Sequence, residues 1–243
     1  MNKYLSGLYS TETYSDNTGG WLPNEDFAKA STIIRVLNKA DVMQNISSVL
    51  DVGCGTGGIL RHVHQSISNG NTALGIDLSI IGIKLANEKS AKNLSFKALS
   101  LEQVEGEFDL VILSHVLEHI ADWDNFLEKL SLKVNRYLYI NVPLEVNVLS
   151  AIRGRSLLET YKKYGHVHFF DEDFVISYLE DCGFNVLVKD YGEEFIVQNS
   201  TLRGRLAKLP RKLLGKLSRR IAARLVGGYS LALLLEPPRS IKD

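Results

Sequence analysis

Cysteine is scarce: Cys54 and Cys182 are the only two in 243 residues, and neither has a second cysteine at metal-ligand spacing. That excludes a disulfide framework and a cysteine zinc site, and leaves two reduced thiols. No run of about 18 unbroken apolar residues occurs, so the sequence offers no membrane-spanning helix. The opening Met1-Asn2-Lys3-Tyr4-Leu5-Ser6-Gly7 lacks the apolar core of a secretory signal, and the expectation is a cytoplasmic protein. Net charge is absent too, since 28 basic residues balance 28 acidic ones. With 45% hydrophobic and 23% charged residues, wholesale disorder and collagen-like structure are excluded. The length suits one large domain with appendages.

The zero balance hides a separation. Residues 203–224 hold nine basic residues and no acid, so the rest of the chain carries a balance of minus nine. A surface built to meet anions therefore sits on an acidic body.

Residues 1–24 are polar and aromatic, with Tyr4, Tyr9, Tyr14 and Trp21 among Ser, Thr, Asn and Gly, and read as an arm or lid. From Pro23 to Lys39, Phe27, Ala30, Ile33, Ile34 and Leu37 recur at helical spacing, which predicts an amphipathic helix. Residues 1–40 are taken as this arm and helix, and 41–243 as the main domain. Buried-strand runs follow at Ser48–Val52, Ala73–Ile76, Leu94–Ala98, Phe108–Leu113 and Tyr137–Val142, with helical patterns from Ile59, over Ile80–Ser90 and over Asn125–Val134. The last third adds a helix over Asp171–Cys182, strands over Phe184–Lys189 and Tyr229–Leu235, and a basic helical insertion, 200–227, between those two strands. Strand and helix alternating at this spacing predict an α/β fold, a doubly wound, mostly parallel seven-stranded sheet covered on both faces.

Gly53, Gly55, Gly57 and Gly58 follow the first strand at once. Glycines there let the backbone turn sharply and approach a ligand, beside the free N–H groups of the next helix. Gly53, Gly55 and Gly58 satisfy the dinucleotide pattern, and Asp77 stands where an acid accepts from ribose hydroxyls. Asp51 discriminates. It precedes the first glycine by two residues, where a dinucleotide's pyrophosphate would pass, and an unpaired carboxylate there repels that anion but attracts an ammonium. A ligand with a ribose, an α-amino group and no phosphate fits, and S-adenosylmethionine is such a ligand.

Asp51-Val52-Gly53-Cys54-Gly55-Thr56-Gly57 resembles the D-x-G-x-G-x-G turn of the class I S-adenosylmethionine-dependent methyltransferases. Leu74-Gly75-Ile76-Asp77-Leu78-Ser79 is similar to that family's ribose-binding acid segment, Phe108 through Ile120 to its fourth strand and following loop, and Val142-Pro143 to the proline that ends its fifth strand. The resemblance implies a Rossmann-like methyltransferase fold and S-adenosylmethionine held by Asp51, Gly53, Cys54, Gly55, Gly57, Asp77 and Leu78, with Ser114 at the fourth strand's end. The family often places an acid near the adenine amino group. Here the aligned stretch Phe96–Leu101 offers Ser100 and Leu101, so adenine is to be read by backbone groups and Ser100, or by Glu102 if the alignment slips by two. Asp109 starts a strand, away from the strand ends where open sheets bind ligands, and reads as structural.

His115 and His119 stand four apart with Glu118 between them, a spacing that shares one helix face. No third ligand is placed and H-E-x-x-H is absent, so no metal site is expected. His166 and His168 alternate in Tyr164-Gly165-His166-Val167-His168-Phe169-Phe170, and in an extended segment both face one side. The resemblance puts the acceptor site after the fifth strand. His166, then His168, are therefore the candidates to take a proton from an acceptor hydroxyl. In-line attack on a sulfonium methyl otherwise needs alignment, with the reacting atoms at about 3–3.5 Å and water excluded.

In the insertion, Leu202, Leu206, Leu209, Leu213, Leu217, Ile221 and Leu225 recur every three or four positions. Pro210 predicts a break or kink nearby, with the helix over Arg211–Val226. Leucines on one side and cations on the other suit an anionic membrane surface; the alternative packs the leucines on the domain or a second subunit. Nucleic acid is disfavoured, because no aromatics interleave for stacking. The expectation is a methyltransferase acting on a small-molecule, glycan or lipid-linked acceptor at oxygen, cytoplasmic and peripheral to a membrane's inner face. The alternatives are a quinone-pathway O-methyltransferase at the membrane surface and a catalytically silent cofactor-binding or membrane-associated scaffold. Asp51 opposes a nicotinamide-dependent oxidoreductase.

Overall fold

A strand covered on both faces must carry apolar side chains on both, and the apolar runs of this chain do. The computed structural model describes residues 23–67, 71–89, 91–193 and 202–238, with side chains from 25 and, in the last segment, from 209. Tyr4, Tyr9, Tyr14 and Trp21, and the side chains of Leu202 and Leu206, lie outside the described residues. The strands are β1 (Ser48–Val52), β2 (Thr72–Asp77), β3 (Leu94–Ala98), β4 (Phe108–Ser114), β5 (Val134–Pro143), β6 (Asn185–Gly192) and β7 (Ser230–Glu236). They form one seven-stranded sheet in the order β3-β2-β1-β4-β5-β7-β6. β7 runs antiparallel to both neighbours, and the pairs from β3 to β5 are parallel.

Helices cover both faces. On one side α1 (Pro23–Lys39), α2 (Gly58–Ser66) and α3 (Ile80–Asn87) bring Ile33, Leu37, Leu60 and Ile83 onto Val49, Leu110, Ile112 and Tyr139. On the other, α4 (Trp123–Ser131) and α7 (Glu172–Asp181) bring Leu127, Leu130, Val175 and Leu179 onto Leu50, Val111, Leu113 and Ile140. Successive strand residues alternate between faces. Asp51, Ser114 and Asn141 therefore share the α1–α2–α3 face, at the C-terminal ends of three adjacent strands. The order reverses between β1 and β4, the switch point at which open α/β sheets bind ligands.

Between β5 and α7 lie α5 (Val148–Arg153) and α6 (Ser156–Tyr164); between β6 and β7 lie α8 (Leu202–Leu217) and α9 (Arg219–Val226). The expected break at Pro210 is not where the helix ends: α8 runs through the proline and stops at Leu217. Pro210 is exposed, where water replaces the bond it forfeits, whereas the Ser218 hydroxyl accepts from Ile221 N at 3.3 Å and starts a new helix. α9 is lashed down by its own cations. Arg219 Nη1 lies 3.2 Å from Asp190 Oδ1, Arg220 Nη2 lies 2.7 Å from Asp173 Oδ1, and Arg224 also pairs with Asp173.

Candidate functional site

The glycine turn closes on the end of β2. Gly53 N and Cys54 N both donate to Ile76 O, at 2.8 and 3.0 Å, and Gly57 N donates to Cys54 O at 2.8 Å. Gly55 N donates to Asp77 Oδ2 at 2.8 Å, while Asp77 Oδ1 accepts from Ser79 N at 2.7 Å. Gly53 has φ +75°, and a Cβ there would stand 2.5 Å from a Val116 methyl, so both its conformation and its neighbour demand glycine. A phosphate-binding turn presents its N–H groups outward. This one has committed four of them internally.

The start of α2 is closed to a phosphate as well. Asp26, in the first turn of α1, puts its carboxylate against Gly58, where a Cβ would collide with it. An anion already occupies the positive end of the helix. Burial pushes the Asp26 carboxyl above its ordinary range, partly offset by Lys29 and Arg61. Sequence reasoning missed Asp26, whose only signal was an acid in a helix's first turn.

Asp51 is buried, and its Oδ2 has no hydrogen-bond partner. Burial, and then the carboxylates of Asp77 and Asp26, push its carboxyl well above the usual range. Such a group lacks a cation. Ser114 Oγ and Asn141 Oδ1, on the same face, are buried and unpartnered too. Asn141 was missed, although a lone amide inside the apolar run of β5 was the signal. The Cys54 thiol is pushed up by burial and by Asp51 and Asp77, and stays neutral. Leu78, 72% exposed directly after Asp77, offers an open apolar wall.

The β3 end is less engaged. Ser100 N donates to Gln103 Oε1 at 2.9 Å, and Leu101 is buried in the core opposite. Glu102 pairs with Lys129 Nζ at 3.0 Å on the surface.

The histidines converge differently from their spacing. His115 has a left-handed backbone, φ +57°, and Leu117–His119 is one 3-10 turn, so His115 and His119 share no helix face. Glu118 is fully buried, with His115 Nδ1 3.2 Å from its Oε1. Burial pushes its carboxyl up, but the close approach and charge of His115, with the charges of His119 and His166, outweigh this and hold it at about 2. Val167 N and His168 N both donate to Glu118 O, at 2.8 and 3.2 Å, which brings the 165–170 segment onto this loop. His166 Nδ1 is 2.9 Å from Glu145 Oε2, and its ring meets that of His119 edge-on at 4.9 Å. His168 stacks on Trp123 at 5.6 Å, its Nε2 3.3 Å from Ala121 O. Glu118, His119 and His166 bring one ligand atom each within 4.8 Å of one another. His166 is the third partner that spacing alone did not place. Asp109, as expected, is structural: it accepts from Ser47 and Asn135 at the opposite end of β4.

The chain matches the methyltransferase-domain family model over residues 24–189. It is 36% identical over 112 residues to ubiquinone biosynthesis O-methyltransferase of Thiobacillus denitrificans, covering 42% of this chain and 47% of that protein. To norajmaline N-methyltransferase of Rauvolfia serpentina it is 30% identical over 141 residues, covering 53% and 48%. The chain spans about half the length of these curated relatives. In fold it is similar to magnesium protoporphyrin IX methyltransferase of Synechocystis, a structure with bound S-adenosylhomocysteine, at a TM-score of 0.57 and 17% identity, covering 86% of this chain and 81% of that one.

Proposed function

This chain belongs to the methyltransferase-domain family, and on that premise we propose that it transfers a methyl group from S-adenosylmethionine to a hydroxyl of a small-molecule acceptor. The buried, unpartnered Asp51 carboxylate carries the reading. It stands where the α-amino group of this ligand supplies the missing cation, in a turn whose amides are already committed and which therefore favours a cation over a phosphate. Asp77, braced by Gly55 and Ser79, keeps lone pairs for ribose hydroxyls. Leu78, Ser100 and the backbone at Leu101 are assigned to adenine, and Ser114 and Asn141 to the polar tail beside Asp51.

Bound S-adenosylmethionine supplies a methyl on a cationic sulfur. What the chain adds is alignment and a place for the acceptor's proton. His166 is assigned that proton: the Glu145 carboxylate on Nδ1 fixes its tautomer and supports the positive ring that results. His168, stacked on Trp123 and bonded to Ala121 O, is the second candidate. Label transfer from methyl-labelled S-adenosylmethionine to a panel of hydroxyl acceptors tests the reading. Loss of transfer in His166→Ala with unchanged S-adenosylhomocysteine affinity supports it; transfer unaffected by the substitution removes His166 from the chemistry.

The ubiquinone-pathway relative favours a second reading, an O-methyltransferase of quinone precursors at a membrane. Its support here is the exposed leucines of α8, which suit a lipid-linked glycan or lipid-like acceptor and a protein peripheral to a membrane's inner face. A silent scaffold would bind S-adenosylmethionine and never consume it with any acceptor.

A further inference from the structure

The basic insertion leaves and rejoins the sheet at the edge where the site lies, since Gly192 and Pro143 both register with Ser230. α9 packs on α5, and Gly227 approaches Asn147 so closely that a Cβ would stand 2.6 Å from its Nδ2. α8 stands on the same base, where Tyr229 OH donates to Arg211 O at 2.9 Å. These contacts fix which side faces inward: Ala222 and Ala223 join the core, with Leu214 against it.

The outward side carries apolar residues. Leu213, Leu217, Ile221 and Leu225 are exposed, Leu217 at 86%, and Val148 and Ile152 of α5, the helix that α9 packs on, are exposed too, Ile152 at 77%. An exposed leucine alone needs no explanation, whereas a cluster marks a docking surface.

Charge says what docks. Lys212 and Lys216 are exposed among the leucines of α8, and Arg153 of α5 lies near enough to act with burial in lowering the Arg211 pKa. No acid lies within 203–224. The arginines of α9, by contrast, are matched by Asp173 and Asp190, whereas Lys212 and Lys216 stand exposed beside Leu213 and Leu217. A second copy offering the same face would set cation against cation. An anionic bilayer matches both components: leucines enter the acyl boundary, and lysine stems reach over them to the phosphates.

We propose that α5, α8 and α9 form a docking face for an anionic lipid surface, beside the mouth of the acceptor site. The acceptor site rests on the methyl-transfer reading; the docking itself does not. It differs from the sequence expectation in its members, because α5 joins it and the arginines of α9 serve the fold.

Flotation of the full chain with vesicles of phosphatidylcholine alone, and with about a third phosphatidylglycerol, tests it. The expected result is flotation with the anionic vesicles only, reversed by high salt. The double variants Leu213→Glu/Leu217→Glu and Lys212→Glu/Lys216→Glu each weaken it by about tenfold or more, with circular dichroism and S-adenosylhomocysteine affinity unchanged. No flotation with either vesicle, or flotation untouched by both variants, overturns the proposal. A dimer in gel filtration that Leu217→Glu splits assigns the face to a second copy instead, and duplex DNA bound more tightly than vesicles assigns it to nucleic acid. A chain that binds S-adenosylhomocysteine but ignores vesicles loses the docking face alone, and one that floats without binding the nucleoside loses the methyl-transfer reading alone.

Discussion

Asp77 accepts the amide proton of Gly55 at 2.8 Å, and this bond turns a glycine loop of the dinucleotide pattern away from phosphate. With Gly53 N and Cys54 N committed to Ile76 O, the loop meets a ligand with acceptors more than with donors. Asp77→Ala removes the brace together with the ribose contact. Affinity for S-adenosylhomocysteine is expected to fall about tenfold or more in calorimetry, and NADH titrated into the wild-type protein is expected to give no saturable signal.

The contact of Asp26 with Gly58 makes a stability prediction. Gly58→Ala forces a methyl into the Asp26 carboxylate and is expected to cost about 1–3 kcal/mol in urea unfolding. In the double variant Asp26→Ala/Gly58→Ala the loss is expected to be smaller than the sum of the single losses, because the colliding oxygens are gone. Strict additivity would mean that the two residues do not meet.

Glu145 is expected to act through His166. Glu145→Gln keeps a partner for Nδ1 but removes the charge that supports a protonated ring, so kcat is expected to fall by about ten- to a hundredfold with KM for S-adenosylmethionine unchanged. His168→Asn, which removes the stack on Trp123 and the contact of Nε2 with Ala121 O, is expected to retain most of the rate.

Asp190 gives a pH dependence with a definite sign. Burial raises its carboxyl, but Arg35 and Lys39 outweigh burial and hold it at about 2, below the ordinary 3.8. A depressed carboxylate stabilises the fold fully above the ordinary value, and the contribution is lost as pH falls toward 2. About 2 kcal/mol is involved at most, less for the partial exposure of the cations. The urea midpoint of the wild type is expected to fall more steeply between pH 4 and pH 2 than that of Asp190→Asn.

The strands and the turn were legible because parallel strands buried on both faces must be continuous apolar runs, and Ser48–Val52 ending in Gly53 reads one way only. The first helix was legible for the same kind of reason, its apolar spacing running from Pro23 to Lys39. Contacts between distant segments were not. Asp26 against Gly58, Glu145 on His166 and the backbone of Val167 on Glu118 depend on how loops return to the sheet, which no local period encodes. The end of α8 was misplaced because Pro210 is a loud signal and Ser218 a quiet one. The position of Asn141 could have been read, since an amide within Tyr139–Val142 has to be buried.

Everything chemical here depends on Asp51 meeting a cation, and calorimetric titration of S-adenosylhomocysteine into the wild-type chain and Asp51→Ala measures that most directly. One saturable site is expected in the wild type, with an affinity lower by about ten- to a hundredfold in the variant, the range of a charge-assisted hydrogen bond. Equal affinities, or no binding to the wild type at all, would contradict it.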